Sequence, residues 1–303
     1  MNLKSPSTRG AIYGISAAAI WGGMYVVSDV VLHVIPPFLL LSLRLSIGAA
    51  ILGAILVMRG QLSIAPRDAL KLLGVGIIGS GISLGAQFVG THLATAINGV
   101  VVTSASPAFI LLFAWLILRE PLTPIRIGAV TLASIGVLAV LDLSKFDLSS
   151  STFGGNLALA IAAVTWGLYS VLIRLVSKNY STLTISFYAL AGGLILSIPA
   201  AAVELKTQPV GEITVGVILG VLYLGVISSA VSIVLWNQAF ALVEASIASL
   251  FFFAQPLVGV LLAMILLGQP LTPQLLIGAV LIIAGVLLSI VRSAPVSVSS
   301  TTS

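Results

Sequence analysis

Hydrophobic residues along this chain run together instead of alternating with polar ones. Ten stretches of about 20 apolar residues, the length that crosses roughly 30 Å of hydrocarbon as a helix, fall near residues 11–32, 37–58, 68–90, 95–118, 124–142, 153–176, 182–203, 213–236, 244–267 and 273–292. Such runs are about twice what a barrel strand needs, so the pattern predicts helices and excludes a membrane β-barrel. Pro36, Pro37, Pro66, Pro121, Pro124, Pro209, Pro270 and Pro273 punctuate the intervals, where helices stop and start. The expected fold class is an all-α membrane protein of ten transmembrane helices.

Composition agrees. The 303 residues are 59% hydrophobic and 7% charged, with a mean hydropathy of +1.23, whereas soluble domains carry about a quarter charged residues. The loops leave no room for a sizeable soluble domain, so the membrane part must carry the function. Cysteine is absent, which excludes disulfides, thiolate metal sites and a thiol nucleophile. With no zinc-ligand cluster and no glycine-rich phosphate loop, no metal or cofactor is expected. A net charge of +5 would suit nucleic acid, but the basic residues are scattered through short loops. The expected surroundings are a lipid bilayer, with no nucleic-acid partner. Lys4 and Arg9 before an apolar run resemble a signal peptide, yet the run reaches Leu32 and a related segment recurs, so a retained first helix is expected. Residues 293–303, rich in Ser and Thr, are expected to be a disordered tail.

Basic residues set the expected orientation. With the N-terminus inside, Lys4, Arg9, Arg59, Arg67, Lys71, Arg119, Arg126, Arg174, Lys178 and Arg292 lie inside, and only Lys145 and Lys206 outside. Both termini are therefore expected in the cytoplasm. A prokaryotic cytoplasmic membrane is the expected location, a eukaryotic endomembrane staying open.

An internal repeat then divides the chain. Arg119-Glu120-Pro121-Leu122-Thr123-Pro124 returns as Gly268-Gln269-Pro270-Leu271-Thr272-Pro273, an offset of 149 that also aligns Pro107 with Pro256. Trp21-Gly22 returns as Trp166-Gly167 at an offset of 145. The expected organisation is a segment over 1–10, a five-helix repeat over 11–142, a second over 153–292 and the tail 293–303. Five is odd, so the second repeat must insert upside down. Inverted repeats are a design of secondary transporters, with a site near the midplane between the halves.

Polar and aromatic residues inside the spans are the candidates for that site. Pro107 and Pro256 fall mid-helix and release the carbonyls of Thr103 and Phe252; they read as gating kinks or as packing kinks. Ser80, Ser83, Gln87 and Thr91 form one helical stripe, matched at offset 149 by Ser229, Ser232, Trp236 and Phe240. Trp21 and Trp166 lie near mid-span, with Tyr25 and Ser28 on the Trp21 face and Tyr169 and Ser170 near Trp166. The candidate substrate-binding residues are thus Trp21, Tyr25, Ser83, Gln87, Asn98, Trp166, Tyr169, Ser232, Trp236 and Gln255. Trp236 also reads as a residue of the interfacial belt. Arg44 and Asp29 are the intramembrane charges, expected to pair as a structural salt bridge; binding of a substrate carboxylate by Arg44 or proton carriage by Asp29 is the alternative. Gly81-Ile82-Ser83-Leu84-Gly85 matches the GxSxG hydrolase pattern, but inside an apolar helix, not at the strand-to-helix turn that the chemistry needs. No enzyme activity is expected.

An Ala-Ile-Trp-Gly start in the first helix, Arg44 in the second, the mid-helix Ser106-Pro107, and Arg119 to Thr123 before a Gly-rich helix resemble the drug/metabolite transporter superfamily, in its ten-helix EamA-type branch. The resemblance covers residues 10–292. It implies export or facilitated passage of amino acids or other small metabolites through a cavity lined by helices 1, 3, 4, 6, 8 and 9. The small four-helix drug exporters of that superfamily carry an embedded glutamate in the first helix, where this chain has Trp21, Tyr25 and Ser28, and sugar-phosphate members need clustered bases. The expected substrate is a small neutral or zwitterionic solute, with drugs or nucleobases as alternatives. A non-transporting membrane protein and a lipid scramblase are the other classes left open, as are a proton or sodium coupling ion and a monomer or homodimer.

Overall fold

The computed structural model describes residues 5–62, 64–94, 96–140, 152–267 and 273–291. The second copy of the loop motif over 268–272, the basic residues Lys4, Lys145 and Arg292, and the tail 293–303 lie outside the described residues. Among the described residues ten helical spans follow one another. They are α1 Pro6–Leu32, α2 Pro37–Met58, α3 Pro66–Leu93, α4 Ala96–Thr103 resumed as Ser106–Phe113 and Ala114–Leu118, and α5 Pro124–Val140. The second five are α6 Phe153–Val176, α7 Thr182–Glu204, α8 Val215–Leu242, α9 Ala245–Ala248 continued through Ser249–Phe253 and Ala254–Leu267, and α10 Pro273–Val291. Seven are long and apolar enough to cross a membrane outright, and shorter apolar helices lie within α5, α9 and α10. The chain is an integral multi-pass membrane protein.

Helix starts follow local chemistry. Proline opens α1, α2, α3, α5 and α10, where its missing N–H costs nothing. Ser5, Ser181 and Thr214 accept hydrogen bonds from the amides of Thr8, Thr184 and Val217. The Ser5 cap starts α1 at Pro6, so the helix begins within the expected cytoplasmic N-terminal segment 1–10.

The halves are related by an inverting two-fold, visible in reciprocal close contacts. A Cβ added at Gly136 would meet the Gly278 carbonyl at 2.8 Å and Ile282 at 2.9 Å; one at Gly285 would meet the Ala129 carbonyl at 2.7 Å and Ala133 at 3.0 Å. These pairs exchange under the offset of 149. As the residue number rises along α5 its partner falls along α10, so the two equivalent helices run antiparallel. Under the offset of 145 that relates α2 to α7 the same holds, with Ser80 and Ser229 of α3 and α8 at 149: Gly48 abuts Leu190 and Ser229, and Gly193 abuts Leu45 and Ser80.

The outer wall is apolar, and polar groups lie buried within a largely hydrophobic core. Val30, Val57, Leu70, Val215 and Val280 are exposed, while Ser80, Arg44, Ser186, Ser228, Ser229 and Asn237 are completely buried. An apolar outer wall suits lipid tails, and the polar groups must then find partners within the bundle.

Candidate functional site

Where the halves meet near the middle of the spans lies a cavity of about 400 Å³ of non-atom space including its opening. Trp21, Met24 and Tyr25 of α1 line it, with Ser83, Leu84 and Gln87 of α3, Thr103 and Ser106 of α4, and Trp166 and Ala162 of α6. Ile233 of α8, Phe252 and Gln255 of α9 and Arg44 of α2 complete the wall.

Local breaks in the helices aim these groups. At Pro107 the fourth span is interrupted over Ser104 and Ala105, and before Pro256 the ninth tightens into a 3₁₀ stretch, Ser249–Phe253. Proline forbids the regular hydrogen bond at each place, and residues in or beside the breaks, Thr103, Ser106, Phe252 and Gln255, are wall residues. Two π-helical stretches, Ile77–Ser83 and Tyr223–Val231, sit at overlapping equivalent positions of α3 and α8.

Trp21 and Trp166 form the aromatic side of the wall and pack with Trp236 behind them. Trp21 meets Trp166 edge-on with ring centroids 5.2 Å apart, and both meet Trp236, at 5.3 and 6.1 Å. Trp21 donates its indole N–H to the Ser228 carbonyl at 3.1 Å and Trp236 donates to Ser170 at 3.2 Å. The N–H of Trp166 meets no acceptor. Tyr25 donates to Thr103 at 2.8 Å, because the Thr103 hydroxyl proton goes to the Gly99 carbonyl at 2.6 Å. With the Tyr25 proton so committed, the carbonyl oxygen of Gln255 nearby has no donor, and the Ser106 hydroxyl is likewise unpartnered. Buried polar atoms left unmatched are costly, and here three of them border one cavity.

Of the residues singled out in the sequence, Trp21, Tyr25, Ser83, Gln87, Trp166 and Gln255 come together in the wall. Ser83 also donates to the Ala162 carbonyl at 2.8 Å, within an unbroken helix that gives the GxSxG match no nucleophile elbow. Tyr169 lies behind the wall, stacked on Trp166 at 5.0 Å and donating to Asn237 at 3.1 Å. Ser232 donates to its own helix at Ser228. Asn98 is joined to Asn156 at 2.8 Å and is not among the wall residues. The belt reading of Trp236 does not hold: α8 runs on to Leu242, beyond the expected end near 236, and the indole is fully buried.

The expected Asp29–Arg44 salt bridge does not form either. Arg44 donates to Ser229, to the Ser228 carbonyl and hydroxyl, and to Met24, while Asp29 is partly exposed and its backbone carbonyl contacts His33 at 2.7 Å. The π turn of α8 turns Ser228 and Ser229 toward α2, and these nearer acceptors take the guanidinium. Thr103 and Phe252 were legible as positions four residues before mid-helix prolines. Met24, Ala162 and Ile233 carry no signal in the sequence.

On one side of the cavity the bundle is filled by Tyr169, Trp236, Phe240 and Phe251, all buried. Beyond them Glu120 accepts hydrogen bonds from the amides of Ala245 and Ser246 and from the Ser246 hydroxyl, capping α9. Arg126 bridges to Glu244 and lies 3.9 Å from Glu120. Arg174 donates to the carbonyls of Phe240 and Ala241, the end of α8. Glu120 and Arg126 thereby tie the first half to the second at the end that carries Arg59, Arg67, Lys71 and Lys178, while Arg174 joins α6 to α8 within the second half.

The family model described as the EamA-like transporter family matches residues 8–141 and again 153–291. The chain belongs to this family. Among its relatives, the uncharacterized transporter YoaV of Bacillus subtilis is 26% identical over 283 residues, covering 91% of this chain and 94% of that protein. An uncharacterized transporter of Archaeoglobus fulgidus is 25% identical over 272 residues, with 89% and 93% covered. A solved structure described only as a crystal structure of a protein superposes with a TM-score of 0.77 at 21% identity, over 92% of this chain and 96% of that one; it speaks for the fold alone. A transporter of this family would bind a small-molecule substrate within the membrane.

Proposed function

We propose that this protein is a secondary transporter moving a small neutral or zwitterionic metabolite, an amino acid or related amphipathic compound, out of the cell by alternating access. The observation that carries the reading is the mid-span cavity between inverted halves, whose wall combines tryptophan faces with the unpartnered polar atoms of Trp166, Ser106 and Gln255. Apolar faces with a few convergent polar groups are what a small amphipathic ligand binds. Trp21, Tyr25, Gln87, Trp166 and Gln255 are the contact residues in this reading, and Pro107 and Pro256 the hinges.

Orientation follows from charge. The end with Arg59, Arg67, Lys71, Arg119, Arg126, Arg174 and Lys178 faces the cytoplasm of a prokaryotic cell under the positive-inside bias, with both termini on that side. The aromatic plug and the Glu120 and Arg126 ties across the halves then form the inner gate, closed in this state, with Arg174 bracing the end of α8. Rocking of the half that holds residues 11–142 against the half that holds residues 153–292 opens it. Tyr25 and Thr103 border the opposite path.

The test is counterflow. Proteoliposomes preloaded with unlabelled neutral amino acids take up the labelled solute, and the Trp21→Ala, Trp166→Ala double variant, shown to be folded, loses at least tenfold of that rate. Equal rates in parent and variant would remove the cavity from the path. No counterflow of any amino acid by folded parent protein would discard that substrate class and bring nucleobases, drugs and lipids forward.

A further inference from the structure

Among the described residues, one charge in the cavity wall is balanced by no carboxylate. Arg44 is fully buried, and its guanidinium is held by neutral groups alone. Nε donates to Ser229 at 2.8 Å, Nη2 to the Ser228 carbonyl and hydroxyl at 3.0 and 3.2 Å, and the Phe88 ring lies 5.3 Å from the guanidinium carbon. Among the described residues no carboxylate bridges to it; the ion pairs join Lys71 and Arg126 to Asp68, Glu120 and Glu244. A buried cation without a counter-ion at membrane depth is a standing cost, and such residues mark substrate or ion paths.

Its donors are unequally served. Arginine has five N–H bonds, and the two on Nη1 share one weak acceptor, the Met24 thioether at 3.3 Å. Methionine is unbranched and re-orients readily, and Met24 and Arg44 both line the cavity. The fold does not demand a cation here. At the equivalent place in the second half the residue is Ala189, and Ser80, counterpart of Ser229, keeps its hydroxyl unpartnered and buried. The same crossing beside a π turn is thus built there without a guanidinium.

We propose that Arg44 anchors a carboxylate of the transported solute on Nη1 when Met24 moves aside, while the free carbonyl oxygen of Gln255 receives an N–H of the same molecule. This rests on the transporter reading above and narrows its substrate to monocarboxylates bearing a hydrogen-bond donor, α-amino acids among them. The anion is singly charged because Arg44 is the one basic residue among those lining the cavity, and a phosphate monoester would bring about −1.5 to −2. An apolar body fits the Trp21 and Trp166 faces, and an ammonium group gains from them as well.

Three of the four tryptophans meet in this cluster, and replacing the exposed Trp115 by Phe silences the fourth. Tryptophan fluorescence of the purified Trp115→Phe protein is titrated with leucine, phenylalanine, leucinamide, phenylalaninamide and 3-phenylpropionate. The expected result is saturable quenching by both amino acids, at least tenfold weaker binding of both amides, and binding of 3-phenylpropionate intermediate between them. Arg44→Lys retains part of the preference for acid over amide and Arg44→Gln abolishes it; should either fail to fold, the ligand series on the parent decides. Amides binding as tightly as the acids, or no saturable quenching by any acid, overturns the anchor. Amides bound and carried in counterflow as well as acids would leave the transporter reading standing and remove Arg44 from it.

Discussion

At the scale of single residues, the two halves put the same atoms to different use. Ser229 takes the Nε–H of Arg44 and in turn donates to the Leu224 carbonyl at 2.8 Å, whereas its counterpart Ser80 is buried with no partner. Removing a hydroxyl that bonds a buried charge strands that charge, at a cost of about 1–3 kcal/mol, while removing an unpartnered one costs little or even stabilises. Ser229→Ala is therefore expected to lower the thermal midpoint in detergent by several degrees, and Ser80→Ala to leave it within about a degree; equal losses would contradict the asymmetry. What could be read from the sequence was residue type and depth. Trp21, Trp166, Gln87 and Gln255 stood out because bulky indoles and amides are rare at mid-span. The partners of Arg44 could not be read, since Ser228 and Ser229 lie over 180 residues away and reach it only through an unforeseen π turn.

At the scale of elements, helix breaks and helix caps divide the work. The proline breaks were legible because the missing N–H is a local property. The Glu120 cap was not, since the loop motif that carries it says nothing of α9. Three hydrogen bonds to the start of α9 converge on this carboxylate, and losing the charge from such a cap costs about 1 kcal/mol, roughly fivefold in an equilibrium constant. In Glu120→Gln, a cysteine placed at the buried Ser249 one turn into α9 should be alkylated about fivefold faster, as the inner gate opens more often. An unchanged rate would mean that Glu120 holds a helix end and not a gate. Close helix crossings give a second test. Gly136→Val forces atoms into the Gly278 carbonyl and Ile282, for about 1–3 kcal/mol of overpacking, whereas Gly128→Ala points into open space and should be neutral by thermal melt.

At the scale of the whole molecule, number and symmetry explain more than any residue does. Ten apolar runs and the offsets of 149 and 145 were sufficient to expect an inverted pair of five-helix halves, because an odd helix count leaves no other topology. Gly136 against Gly278 and Gly285 against Ala129 show that inversion in atomic contacts. Symmetry alone would let the cavity open equally to either side. The sequence differs between the two loops, with Gln269 where the first has Glu120, so under the proposed mechanism the two gates are expected to differ in strength.

In the proposed mechanism one mid-membrane cavity is reached in turn from both faces. The chain has no cysteine, so a single Ala162→Cys in the cavity wall can be probed in oriented vesicles with a membrane-impermeant maleimide applied from one side at a time. Labelling from either side, slowed by a solute that the protein carries, is the predicted result. Labelling from one side only, while counterflow continues, would contradict it.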